Sequence, residues 1–238
     1  MSNKKHFQIS QQAVEKLAVR FGTPLLVLSL DEIKKNYKVL KKYMPRVKIH
    51  YAIKANPHPE ILRVMADMGS CFDVASDGEI RTLHDMGVDG GRLIYANPVK
   101  TGVGLEACRS CGVRKMTFDS ASEIDKIKKQ CPDATVLLRL RIDNSSAHVD
   151  LNKKFGAARE NALALMQQAK EAGLDMAGIA FHVGSQTVSA DPYLHALDIA
   201  QAGDFVRALP KGLNSFVAQG GANFSGGQKQ RLSIARAI

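Results

Sequence analysis

Cys71-Phe-Asp73-Val-Ala75, residues 77–86, Gly87 and Arg92-Leu-Ile-Tyr-Ala96 read in turn as strand, helix, turn and strand. The apolar runs have strand length, the segment between them is helical by period, and a glycine stands where the helix must stop. The unit repeats toward the C-terminus. Helix 104–111, Gly112 and strand Lys115-Met-Thr-Phe118 come first, then helix 122–130 and strand Thr135-Val-Leu-Leu-Arg139-Leu140. A longer excursion over residues 143–156 precedes helix 159–172, Gly173 and strand Ala177-Gly-Ile-Ala-Phe-His182. Toward the N-terminus the unit is helix 59–68 behind an alternating run that ends in Tyr51-Ala-Ile-Lys54-Ala-Asn56-Pro57. Six strands alternating with helices over short links predict parallel βα units, in a barrel or a doubly wound sheet. Ahead of them lie a helix over residues 8–21 with Ser10 as cap, a short strand Pro24-Leu-Leu-Val-Leu-Ser29, and a helix over residues 31–43 stopped by Pro45.

The 238 residues are 45% hydrophobic and 24% charged, a globular composition with enough apolar mass for one large core or two small ones. No apolar run approaches the roughly 18 residues of a membrane helix. The opening Met1-Ser-Asn-Lys-Lys-His-Phe-Gln lacks an export-type apolar stretch, so a cytoplasmic protein is expected. The formal charge of +10 invites a nucleic-acid reading. Its lysines fall on helix faces such as Lys34 to Lys42 with few interleaved aromatics, which is solvated helix surface, and no nucleic acid is expected. Cys108-Arg-Ser-Cys111 has redox or zinc spacing but no second pair and no nearby histidine, so free thiols are expected and no metal. Gly102-Val-Gly104 matches the dinucleotide fingerprint only loosely and at the wrong βα turn.

Polar residues collect just after the strands: Lys54, Asp73, Asn97, Asp119, Arg139 and His182. In a (β/α)8 barrel that rim carries the active site. Lys54 ends a strand among small apolar neighbours and is expected to be desolvated. That would lower its pKa and make its amine available to a carbonyl carbon. Asp73 ends the next strand and Glu79 opens the following helix, where carboxylates can hold or shuttle a proton. On its own Glu79 reads as a helix N-terminal charge matched to the dipole. Arg139, between Leu138 and Leu140, is expected to meet either a carboxylate or a cofactor. His182 precedes a Gly184-Ser185 turn suited to phosphate.

Together Tyr51-Ala-Ile-Lys54-Ala-Asn56, Phe72-Asp73-Val-Ala-Ser76, Tyr95-Ala-Asn97-Pro98-Val-Lys100, Thr117-Phe-Asp119-Ser120, Lys154-Phe-Gly156 and Phe181-His182-Val-Gly-Ser185 resemble the pyridoxal-phosphate decarboxylases with an alanine-racemase-like barrel. The nearest branch is ornithine decarboxylase; diaminopimelate decarboxylase fits less well. The resemblance implies an α/β fold of the (β/α)8 TIM-barrel family, here with about six βα units. It implies pyridoxal 5'-phosphate as cofactor, with Lys54 carrying it as an internal aldimine. His182 would stack on its ring and Ser185 would bind its phosphate, while Asp73, Glu79 and Arg139 shape the surroundings. The implied reaction is decarboxylation of a basic amino acid, L-ornithine to putrescine, in a homodimer.

The family pattern is expected to stop near Asp198. The segment Gln219-Gly-Gly-Ala-Asn-Phe-Ser225-Gly226-Gly227-Gln228 and the residues after it resemble the signature region of ABC-transporter nucleotide-binding domains. No Gly-x-x-x-x-Gly-Lys-Ser/Thr loop occurs, so such a tail would meet ATP only in trans. The expected organisation is therefore 1–47 before the barrel, 48–199 as a partial PLP-binding barrel and 200–238 as a short helical ABC-signature tail. A join, in a fusion or an inactive product, is expected at residues 199–203.

Overall fold

The computed structural model describes residues 8–142, 147–149 and 154–189, together with positions 191, 198, 204, 207–211, 215 and 225. The chain divides into two compact units, Met1–Cys71 and Phe72–Ile238.

In the first unit, helix α1 (Gln11–Phe21) starts at Ser10, whose hydroxyl accepts from the Ala13 N–H at 3.3 Å. Ser29 caps α2 (Leu30–Tyr43) in the same way. The strand expected over residues 24–29 does not form. Leu25, Leu26, Val27 and Leu28 are exposed, and among the described residues they have no ladder partner to turn extended backbone into a strand. Strand β1 (His50–Ala52) is shorter than its apolar run because the backbone tightens into a 3-10 turn over Ile53–Ala55. Helix α3 (Pro59–Asp67) then begins with proline in its first turn, where the missing N–H costs nothing. Tyr37, Ile53, Ile61, Leu62 and Met65 are buried.

The second unit carries β2 (Cys71–Val74), α4 (Asp77–Asp85), β3 (Leu93–Tyr95), α5 (Gly102–Ser110), β4 (Lys115–Phe118), α6 (Ala121–Gln130) and β5 (Thr135–Leu140). Beyond these lie β6 (Ala147–Val149), α7 (Arg159–Glu171), β7 (Asp175–Phe181) and β8 (Ser185–Thr187). Strands β2, β3, β4, β5 and β7 are hydrogen-bonded in that order, all parallel, in an α/β sheet that is not closed into a barrel. Each strand expected in this unit is present, and its helix ends differ from expectation by one or two residues.

The strands show why a single rim collects the polar groups. Phe72, Val74, Leu93, Tyr95, Met116, Phe118, Val136, Leu138 and Leu140 are all buried, whereas Asp73, Ile94, Leu137 and Arg139, at alternate positions, are only half-buried. A period of two thus gives one face to the apolar core and leaves Asp73 and Arg139 on the other. Glycine ends the helices as expected: Gly87 takes φ +78° while the Val88 N–H donates back to Leu83 O at 3.0 Å.

Two features were not legible in the sequence. Strand β7 carries one extra residue against β5, since Val136 pairs with Met176 but Leu137 pairs with Gly178. The excursion over residues 143–156 includes β6, which pairs antiparallel with β8 and so ties the excursion to the segment after His182. Among the described residues no helix is long and apolar enough to cross a membrane.

Candidate active site

In the first unit Lys54 lies within the 3-10 turn, one residue past buried Ile53, with its side chain exposed. This corrects the expected desolvation, because the turn swings the lysine out from the strand run that would have enclosed it. Among the described residues nothing hydrogen-bonds or ion-pairs with its ammonium. The turn itself is firmly held: Tyr51 Oη donates to Asn56 O at 3.0 Å, and the His58 N–H donates to Asn56 Oδ1 at 3.0 Å.

In the second unit three charged side chains interact at the carboxyl ends of β2, β4 and β5. Burial holds the Arg139 guanidinium below its ordinary pKa, while the negative charges of Asp119 and Asp73 oppose that shift. It stands over the Phe155 ring, 5.4 Å from guanidinium carbon to centroid, a cation–π contact. Among the described residues no carboxylate lies within salt-bridge distance of it, so the expected alternative of a structural ion pair is not what forms. Asp119 Oδ2 accepts from the Gly156 N–H at 2.8 Å. The Ala157 N–H donates to Arg139 O, and the Arg141 N–H donates to Ala157 O, both at 2.9 Å.

His182 follows β7, half-buried, and its Nδ1 accepts from the Gly184 N–H at 2.9 Å. In the neutral ring this places the proton on Nε2. Gly184 is buried with φ +88°, a backbone that a side chain would strain, and it turns the chain into β8, where Ser185 is exposed. Glu79 Oε2 accepts from the Ala75 N–H at 2.6 Å while its own N–H donates to Ser76 Oγ at 3.3 Å, a reciprocal cap on α4. These two bonds make Glu79 a group that holds the β2–α4 turn.

A second cationic centre lies behind β3 and β4. Lys100 Nζ meets Glu123 Oε1 at 3.0 Å and donates to the carbonyls of Asn97 (3.2 Å), Pro98 (3.1 Å) and Thr117 (2.5 Å). Lys126 Nζ takes the other Glu123 oxygen at 2.6 Å. The side chains of Lys100 and Glu123 are 0% and 3% exposed. Sequence reasoning named Lys100 only within a motif and passed over Glu123. The one available signal was a lysine two residues after an Asn-Pro pair.

In the second unit the half-buried cation, imidazole and hydroxyl are chemically suited to a planar anion, and in the first unit the exposed amine is suited to an aldehyde; pyridoxal phosphate is both. Comparison with known proteins agrees. The sequence profile of the pyridoxal-dependent decarboxylases, pyridoxal binding domain, matches residues 30–226. The chain belongs to this family. It is 51% identical over 197 residues to the lysine/ornithine decarboxylase of Selenomonas ruminantium, covering 83% of this chain and 50% of that protein. It is 34% identical to antizyme inhibitor 2 of Xenopus laevis, over 85% of this chain and 44% of that one. The lysine decarboxylase from Selenomonas ruminantium, as solved with PLP and cadaverine, aligns at TM-score 0.77 and 41% identity, over 98% of this chain and 62% of the other. The chain thus spans about half the length of the curated relatives it matches. Its structural neighbours in the family have the TIM-barrel fold, of which this chain shows the parallel βα part. The family match runs across residues 199–203, so neither a join there nor the ABC-transporter reading of residues 200–238 finds support. Of the signature positions Ser225 is exposed, and Gly226, Gly227 and Gln228 lie outside the described residues.

Proposed function

We propose that the chain forms the pyridoxal-phosphate-binding part of a decarboxylase acting on a basic amino acid, with L-ornithine as substrate and putrescine as product. The observation that carries this reading is Arg139: a half-buried cation on the rim face of the sheet with an aromatic ring beneath it and no described carboxylate in contact. A buried cation left in that state is stabilised by an incoming anion. When bound, the cofactor supplies an electron sink for the charge left on the substrate when CO2 departs. The exposed Lys54 amine would hold the cofactor by its aldehyde and could carry a proton there. The His182 ring, fixed by Gly184, would give the cofactor's ring a flat partner, and the Ser185 hydroxyl and nearby amides would hold its phosphate. Asp73 sets the charge around Arg139, and Glu79 holds the turn that follows Asp73.

Lysine and ornithine differ by one methylene, worth only about 1–3 kcal/mol in a pocket. The motifs from Tyr95 and from Thr117, quoted above, favour the ornithine branch over the diaminopimelate branch, and the choice between ornithine and lysine falls to the assay. The test is to add pyridoxal phosphate, reduce with borohydride and map the adduct by peptide mass. Lys54 should carry the label; a label on another lysine with Lys54 untouched sinks the assignment. Release of labelled CO2 from ornithine and from lysine, compared at equal concentration, decides the substrate.

A further inference from the structure

Asp119 follows β4 and has no part in the chemistry above, yet it is the anchor of a small clasp. Its carboxylate takes the Gly156 N–H at 2.8 Å, from a residue 37 positions later in the chain. Gly156 has φ +102°, and a β-carbon there would stand 2.9 Å from Arg141 N and 3.0 Å from Leu140 C. The segment can therefore lie this close to the end of β5 only with glycine at that position. On either side, Ala157 exchanges backbone hydrogen bonds with Arg139 and Arg141, and Phe155 lies 5.4 Å from the Arg139 guanidinium. The Asp119 charge also acts directly on that guanidinium.

We propose that Asp119 is a positioning residue: by holding the Gly156 amide it keeps Phe155 against Arg139, and so fixes the cation in the place where an anionic cofactor would meet it. The inference deepens the decarboxylase reading, but its first readout does not depend on that reading. Asp119→Asn keeps an oxygen acceptor and removes the charge; Asp119→Ala removes both. Gly156→Ala forces the segment away while leaving Asp119 intact.

Amide hydrogen exchange at Gly156 and Ala157, in the chain without cofactor, is expected to speed up about tenfold in Asp119→Ala, the loss of one charge-assisted hydrogen bond. Gly156→Ala should show the same loss of protection at Ala157. Asp119→Asn should stay within about threefold of the parent. Phenylglyoxal labelling of Arg139, followed by peptide mass, should accelerate in the two alanine variants and not in the asparagine one. Unchanged exchange in Asp119→Ala, or equal losses in the alanine and asparagine variants, overturns the clasp. Pyridoxal-phosphate affinity, read by fluorescence, should fall in the same order. If the parent chain takes no pyridoxal phosphate, the decarboxylase reading fails while exchange and labelling still decide the role of Asp119.

Discussion

Lys100, in the loop after β3, and Arg139, at the carboxyl end of β5, are both cations near carboxylate charge, and they are built in opposite ways. Lys100 is wholly enclosed, with four oxygen acceptors within 3.2 Å for its three protons. Arg139 is half-buried, stacked on a ring, and feels Asp119 and Asp73 without a described ion pair. A saturated buried charge has nothing left to offer a ligand, so Lys100 is scaffold: it draws together the loop after β3, strand β4 at Thr117 and the start of α6. An unsaturated one keeps its capacity, and the rim face is where it is kept. Charge alone does not separate a site from a staple; the partner list does.

The sharpest way to break this contrast is to delete each cation. Lys100→Met leaves Glu123 buried with Lys126 alone, and removal of one partner from such a pair costs about 3–5 kcal/mol. Urea unfolding should show that loss. Arg139→Gln removes a charge that makes no described ion pair, so stability should change by less than about 1 kcal/mol. Pyridoxal-phosphate affinity, by contrast, should drop at least about tenfold, the effect of one lost charge-assisted contact. Equal stability losses in the two variants would erase the distinction.

Why the sequence showed one of these cations and hid the other is a matter of period and distance. Arg139 breaks an apolar run at a position that alternation assigns to the far face, so its oddity is local and visible. The value of Lys100 lies in Glu123 and Thr117, brought to it by a turn and a helix. The same holds across the fold. The βα rhythm, the helix caps at Ser10 and the glycine stops are local and were legible. The β6–β8 pairing, the extra residue in β7 and the Asp119–Gly156 contact depend on long-range placement. Residues 24–29 misled because a strand is defined by a partner and not by its apolar residues alone. Lys54 misled because one tight turn separates a strand's last side chain from an exposed one.

The surroundings of Lys100 also set an alkaline limit. Burial pushes the Cys108 thiol from its ordinary 9.0 to about 12, with the charge of Cys131 adding to the shift and Lys100 opposing it. Burial likewise takes the Tyr95 phenol from 10.0 to about 12. For both acids the folded pKa is the higher, so the folded chain binds more protons than the unfolded one. Their contribution is complete below about pH 9 and is lost as pH rises toward 12. Burial lowers Lys100 from its ordinary 10.5, which works the other way: the unfolded chain binds more protons there, and stability gains as pH approaches that value. The thiol can be separated from this offset with Cys108→Ala. The fall in unfolding free energy between about pH 8 and pH 10.5 should be smaller in the variant than in the parent, by on the order of 2 kcal/mol. An equal fall in both chains would show that the enclosed region does not resist ionisation.

The smallest expected effect tests the edge of the site, where a carboxylate was assigned to chemistry and the fold gives it a cap. Glu79 satisfies the Ala75 N–H and is itself held by Ser76. Glu79→Gln keeps an acceptor of the same length, so α4 should lose only a few tenths of a kcal/mol, whereas Glu79→Ala should lose about 1 kcal/mol, as caps do. The rank in thermal unfolding should be parent, glutamine, alanine, with the amide exchange of Ala75 following the same rank. A group that moved a proton would give another pattern: glutamine would match alanine in lost turnover while matching the parent in stability. The two readouts together place Glu79 with Lys100, among the residues that build the rim, or with Arg139, among those that use it.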